Sequence, residues 1–256
     1  MIFLKKDSEI KILKEGGKIL SEILKKVKKK AKPNVSALFL SNYTFKLIKE
    51  VGAEPSFLNF KPSFAKKPFP APICISINEV IVHGVPKKNL ILKEGDLVSL
   101  DCGLCYKKLY TDMAITFGIG KISKKGKDLI KATKEALKNA IKVCQEGNRV
   151  GDISFEIERT IKKHHFFPIC ELCGHGVGYQ VHEDPYIPNC GLRHTGEVLK
   201  KGMVIAIEPM ASLGTSKIIS NKDDEFLTAD RSLSSHFEAT IAITKEKPII
   251  ITPLIE

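Results

Sequence analysis

Leu92-Lys-Glu-Gly-Asp-Leu-Val-Ser-Leu-Asp101 and Leu199-Lys-Lys-Gly-Met-Val-Ile-Ala-Ile-Glu208 carry one pattern twice: Leu-Lys-x-Gly, a β-prone run, then a carboxylate. The copies lie 107 residues apart. Upstream of each stands a second matched pair, Val82-His83-Gly-Val-Pro86 and Val181-His182-Glu-Asp-Pro185. Downstream of each comes another carboxylate before a strand-like run: Asp112 in Thr-Asp-Met-Ala-Ile-Thr-Phe and Glu238 in Phe-Glu-Ala-Thr-Ile-Ala-Ile-Thr. The order histidine, carboxylate, carboxylate is thus written twice. Two copies are too few for a solenoid, so the repeat predicts two related halves of one domain. Halves packed about a pseudo-twofold axis would bring four carboxylates together. Such groups repel unless a cation sits between them.

A chain of 256 residues suffices for one large core. We expect a single catalytic domain over 1–256, with halves of about 7–120 and 121–252. Apolar residues make up 43% and charged residues 27%, ordinary for a globular protein, and no apolar run nears the ~18 residues of a membrane span. The first residues turn charged after four apolar ones, unlike a secretory signal. Seven cysteines, an odd number, point to free thiols in a reducing, cytoplasmic setting. The net charge is +12, with only four arginines among 41 basic residues. Lysine is a point charge that suits a diffuse field better than base-specific reading. Its plain reading is solvated lysine-rich faces. Its sharper reading is attraction to a polyanion such as ribosomal RNA.

Residues 8–30 have the apolar spacing of a helix (Ile10, Leu13, Leu20, Leu24, Val27) with Asp7 or Ser8 as its cap. Ser36 caps a second helix that runs to about Val51. Residues 55–72 interleave five prolines with Phe57, Phe60, Phe64 and Phe69. This is a stiff aromatic loop, either plugging a small satellite core or walling an apolar pocket. Strands follow at 73–77 and 80–82, and a hairpin pairs 96–101 with 109–117. A lysine-rich helix is expected over 124–146, a new cap at Asp152, and a helix from Ile153 to about His164. Strand-like runs stand at 169–173, 203–209, 217–220 and 237–243. The class is α+β, with helices outside and antiparallel strands inside each half.

Asp101 and Asp112 are the first chemical pair. A two-residue turn at Tyr106-Lys107 would set them directly opposite, with Cβ atoms about 5 Å apart. Glu208 ends an apolar strand, and Glu238 sits among Phe237 and Ala-Thr-Ile-Ala-Ile, so both should be buried and in need of a partner. His175 lies in Gly174-His-Gly-Val-Gly178, where glycines let the backbone approach closely and leave the imidazole exposed. Four carboxylates and one imidazole balance two divalent ions in charge. Oxygen ligands with one nitrogen favour cobalt, manganese, iron(II) or zinc. His83 and His182 precede proline turns beside this site and read as substrate contacts. A rival site, zinc on Cys102-x-x-Cys105 and Cys170-x-x-Cys173, is disfavoured because side chains three apart on a strand point to opposite faces.

The assembled motifs resemble the type I methionine aminopeptidases of the pita-bread, creatinase-like metallopeptidase family, over about residues 7–252. The markers are Cys74-Ile-Ser-Ile-Asn-Glu-Val, Val82-His-Gly-Val-Pro, Asp101 and Asp112, Gly174-His-Gly-Val-Gly, His182-Glu-Asp-Pro, Ile207-Glu-Pro-Met, and Asp230-Arg-Ser-Leu-Ser before Glu238. The resemblance implies a dinuclear centre in which Asp101 holds one metal, His175 and Glu208 the other, and Asp112 and Glu238 both. It implies a bridging hydroxide attacking the first peptide bond of nascent chains that begin with methionine and a small second residue. Glu208 would shuttle the proton, His83 contact the scissile nitrogen, and His182 the oxyanion. The methionine pocket maps onto Phe57, Phe60, Phe69, Cys74, His83, Val181 and Phe226. A monomer without a membrane anchor, touching ribosomes through its lysines, is the implied setting. The chain departs from the family pattern in an apparent insertion at 61–68. It also has Val181 for phenylalanine, Phe226 for tryptophan, His236 for glutamine and Ala239 for histidine.

Overall fold

A computed structural model describes residues 1–62 and 65–255. Phe64 of the aromatic loop lies outside the described residues. Four helices pack on one face of a nine-stranded sheet. They are α1 (Asp7–Lys30), α2 (Ala37–Glu50), α3 (Lys124–Lys142) and α4 (Val150–Lys163). Leu20, Leu24, Val27, Leu40 and Ile48 of the first pair, and Leu129, Leu137, Ile153 and Ile157 of the second, join Leu97, Leu100, Ile115, Ile205 and Ile241 of the sheet in one core. The lysines of α1 and α3 fall on the outer faces, as amphipathic spacing requires. No helix among the described residues is long and apolar enough to cross a membrane.

Helix ends show where local reading fell short. Lys6, not Asp7 or Ser8, occupies the cap of α1, and its N–H donates to Glu9 at 2.7 Å. Ser36 caps α2 as expected, accepting from Phe39 N–H at 3.2 Å. Helix α3 stops at Lys142, short of 146, because the following backbone pairs elsewhere. Glu146 N–H goes to Thr244 and Gly147 N–H to Leu199. Asp152 is not a cap but sits in the first turn of α4, where it accepts from the N–H groups of Arg149 (2.8 Å) and His194 (3.0 Å). The run 169–173 is a strand only at its last residue; residues 169–172 separate short strands at Phe167–Pro168 and Cys173–Gly176. Cys170 within it is disulfide-bonded to Cys190, which corrects the expectation of free thiols throughout and also breaks up the four-thiol zinc set.

The sheet runs Glu54–Pro55, Leu97–Tyr106, Leu109–Gly118, Glu238–Ala242, Val204–Ile207, Cys173–Gly176, Glu183–Pro188. Cys74–Ile77 also pairs with the second of these strands, and Ile249–Ile250 with the fourth. The strands that end the two quoted motifs, Leu97–Tyr106 and Val204–Ile207, flank a central pair, Leu109–Gly118 and Glu238–Ala242. That arrangement is the spatial form of the sequence repeat.

The hairpin turn falls one residue later than expected. Tyr106 pairs with Leu109, and Lys107 and Lys108 form the turn with φ of +49° and +66°. Two successive left-handed residues match the strand twist, at a cost for lysine of roughly 1 kcal/mol each. Moving the turn by one shifts the pairing by two residues. Asp101 therefore opposes Ala114, and Asp112 opposes Gly103. A shift of two preserves the face, so the two acids stay on one side as diagonal rather than direct neighbours.

Replacing Lys107-Lys108 by Asn-Gly should raise stability by about 0.5–1 kcal/mol, since both new residues accept positive φ readily. Urea denaturation checks this, and an unchanged or lower midpoint would contradict the turn assignment.

Candidate metal centre

Five neighbouring strands each bring one group to the same cleft. Asp101, Ala114 and Glu238 stand opposite one another across three strands. Directly paired residues share a face. Asp112 lies two residues from Ala114 and so joins them. From the other side, Thr240 pairs with Ala206, and Ala206 pairs with His175. Glu208 follows two residues after Ala206, just past the strand end. Small residues alternate with the chemical ones on this face: Gly103, Ala114, Ala206. They leave room where larger side chains would fill the site.

All five groups are buried. Asp112, His175 and Glu238 offer ligand atoms that all lie within 4.8 Å of one another. His175 Nδ1 faces the carbonyl of Gly176 at 2.9 Å, which turns Nε2 inward, 3.6 Å from Glu208 Oε1. Gly174 permits this approach, because a Cβ there would sit 3.2 Å from Glu208 Cγ and 2.3 Å from the Ala206 carbonyl oxygen. The backbone of Asp112 is held by Thr240, whose hydroxyl accepts from Asp112 N–H (2.9 Å) and donates to its carbonyl (2.8 Å).

Burial raises the carboxyl of Asp101 to about 7, even with the Cys74 thiol donating a hydrogen bond to it. Burial, then mutual repulsion, holds Asp112, Glu208 and Glu238 well above the usual carboxylate range. Asp101 Oδ1 and Glu238 Oε1 are buried without a hydrogen-bond partner. Acids packed this way, with orphaned oxygens and a tautomerically fixed imidazole, are the donor set of hard or borderline divalent cations.

The groups open on a cavity of about 750 Å³. His83, His182, Phe57, Phe60, Phe69, Cys74 and Phe226 line it together with the four acids and His175. Val181 does not line it; it packs behind the wall against Phe57 and Cys74. His83 holds a left-handed backbone (φ +61°), and its ring lies 5.5 Å from that of Phe226. His182 reaches the cleft surface, its ring 4.3 Å from His175 and 5.2 Å from Phe60. Burial lowers His83 and His182 to about 4, so both imidazoles are neutral near pH 7.

Leu172, Tyr186 and Met210 also line the cavity; Met210 closes the Ile207-Glu-Pro-Met motif without being assigned a role there, and nothing in the sequence marks Leu172 or Tyr186. His236 was noticed only as a departure. Its buried Nε2 makes no hydrogen bond and lies 3.7 Å from Glu208 and 4.0 Å from Glu238.

Residues 11–245 match the model of metallopeptidase family M24. A methionine aminopeptidase from Aquifex aeolicus is 44% identical over 250 residues, 96% of each chain. The crystal structure of a methionine aminopeptidase from Thermotoga maritima superposes with a TM-score of 0.93 at 40% identity, over 99% of this chain and all of that one. An Xaa-Pro dipeptidase from Bacillus anthracis shares the fold at a TM-score of 0.78 and 24% identity, with 62% of its chain covered. The expected pita-bread fold is therefore the observed one.

Raised acids bind protons in the folded chain where the unfolded chain has released them. Stability of the metal-free protein should thus be full below about pH 4 on this account and fall as pH rises through 7 and beyond. Calorimetric melting of chelator-treated protein should give a lower midpoint at about pH 8 than at about pH 5.5, with manganese reversing the loss. A midpoint that is flat or rises over that range would contradict the clustering of the acids.

Proposed function

The chain belongs to metallopeptidase family M24, and we propose that it removes the N-terminal methionine from nascent proteins and peptides whose second residue is small. One observation carries this reading: Asp101, Asp112, His175, Glu208 and Glu238 converge at the floor of a cavity walled by phenylalanines. The family is one of metallopeptidases, and the full-length relatives are named methionine aminopeptidases.

In this proposal the five convergent residues hold two divalent ions, of cobalt, manganese, iron(II) or zinc. Bound there, the ions supply Lewis acidity and a water acidic enough to serve as nucleophile at neutral pH. Phe57, Phe60, Phe69, Cys74 and Phe226 take the methionine side chain, since an unbranched thioether packs well on aromatic walls. Val181 backs this wall rather than touching the substrate. The acidic floor receives the free amine. Glu208 carries the proton from nucleophile to leaving amine. His83 donates to the scissile nitrogen, and His182 stabilises the developing oxyanion, both as neutral N–H donors. The lysine faces of α1 and α3 support a transient association with ribosomal RNA, which would bring the site to emerging N-termini.

Metal-loaded protein should release methionine from Met-Ala-Ser, far less from Met-Lys-Ser, and nothing from Ala-Pro-Ala. No release from Met-Ala-Ser would sink the proposal. Glu208→Gln should fold normally yet lose most turnover, by roughly 100-fold or more if proton transfer runs through it; wild-type rates would remove it from that role. Ribosome binding should weaken steeply between about 50 and 200 mM salt, and salt-insensitive binding would rule out the lysine account.

A further inference from the structure

His182 is carried by a short connection, not by a strand. Residues 177–182 link the His175 strand to Glu183–Pro188, and Gly176 pairs with Glu183 where the first strand ends and the second begins. What holds this connection is the segment ahead of α1. Ile2 bridges to Asp184. Phe3 packs edge-on against Tyr179, with ring centroids 5.6 Å apart. Lys5 donates its backbone N–H to the Gly202 carbonyl at 2.7 Å, in the second Leu-Lys-x-Gly motif. Its ammonium then turns inward, passes over the Tyr179 ring at 5.0 Å, and forms an ion pair with Glu183.

Both side chains of that pair are 1% exposed. The second oxygen of Glu183 accepts from the N–H groups of Tyr179 (2.5 Å) and Gln180 (2.9 Å), the turn just ahead of His182. The Lys5 stem crosses Gly178 so closely that a Cβ there would lie 2.4 Å from Cε. A buried charge pair is a costly device for stability alone, but one lost partner leaves a buried charge unpaired. It does supply direction: an ammonium, two amides and one carboxylate admit few arrangements.

We infer that Lys5, acting through Glu183, is a positioning residue that fixes His182 over the cleft, so that the segment before α1 is part of the catalytic apparatus. The inference rests on the role proposed for His182 above. Lys5 neither lines the cavity nor belongs to the convergent metal-binding group. Its effect is on the angle at which the His182 imidazole meets the developing charge, where a misplacement of about 1 Å can cost ~100-fold in rate.

The test is a cycle of variants on manganese-loaded protein with Met-Ala-Ser. Lys5→Met should lower kcat by about 10- to 100-fold with KM within threefold, and Lys5→Arg should recover most of it. In a His182→Ala background, Lys5→Met should add little further loss, since both act at one point. Manganese affinity by titration calorimetry should stay within about threefold of wild type, because Lys5 does not reach the ligands. If Lys5→Met fails to fold, the neutral pair Lys5→Met with Glu183→Gln decides, because removing both charges leaves none stranded. It should fold and remain at least about fivefold slower than wild type. Wild-type kcat in the folded variant, or a full additional loss in the His182→Ala background, overturns the inference. Inactive wild-type protein would instead refute the proposed function.

Discussion

Four carboxylates share one face of an apolar sheet, and their repulsion is the constraint on which the remaining architecture depends. No fold gains stability by setting Asp101, Asp112, Glu208 and Glu238 together in a buried place. Burial lifts each toward its protonated form, and repulsion by neighbouring acids adds to this for Asp112, Glu208 and Glu238. The arrangement persists because the backbone leaves no choice. Asp101 and Glu238 both pair with Ala114, and Thr240 ties down the backbone of Asp112 from the opposite half. The core on the other face of the sheet, with four helices against it, supplies the burial energy that offsets the local repulsion. Divalent metal is the natural relief.

The two halves contribute unequally to the site. Asp101 and Glu208 end equivalent motifs, yet only Glu208 has an imidazole on each side, His175 at 3.6 Å and His236 at 3.7 Å. His83 and His182 stand at matched places in the sequence but are held by different means. His83 depends on a left-handed backbone beside the short strand at Val80–Val82. His182 depends on a loop braced from outside by the chain's first residues. Departures from symmetry give each residue its own surroundings, and those surroundings are the basis of the separate roles proposed for them.

The cavity wall follows from the same logic. Phe57, Phe60 and Phe69 come from a loop stiffened by proline rather than from the sheet, and Asn59 and Phe60 close it by backbone bonds with Phe69. A wall built on a loop can vary without disturbing the acids beneath. That separation fits an enzyme whose chemistry is set by the sheet and whose side-chain preference is set above it.

Much of this was legible in the residues alone. The doubled motif predicted two halves and the strand runs predicted which acids are buried, because burial and repeat symmetry are written in residue type and spacing. Gly-His-Gly pointed to His175 but to an exposed imidazole; the ring is buried instead, because it turns in against Glu208. The cap of α1, the end of α3 and the hairpin turn were misread, since each was decided by a partner distant in sequence or by the twist of the pair. Lys107-Lys108 has no glycine to announce left-handed backbone. The bond between Cys170 and Cys190 depends on two loops meeting, which no spacing encodes. Lys5 was one lysine among many until the fold buried it against Glu183. Residue type and period fix what must be buried and which face it shares; only packing of remote segments decides which charge meets which, because that depends on distances the chain does not carry along its length.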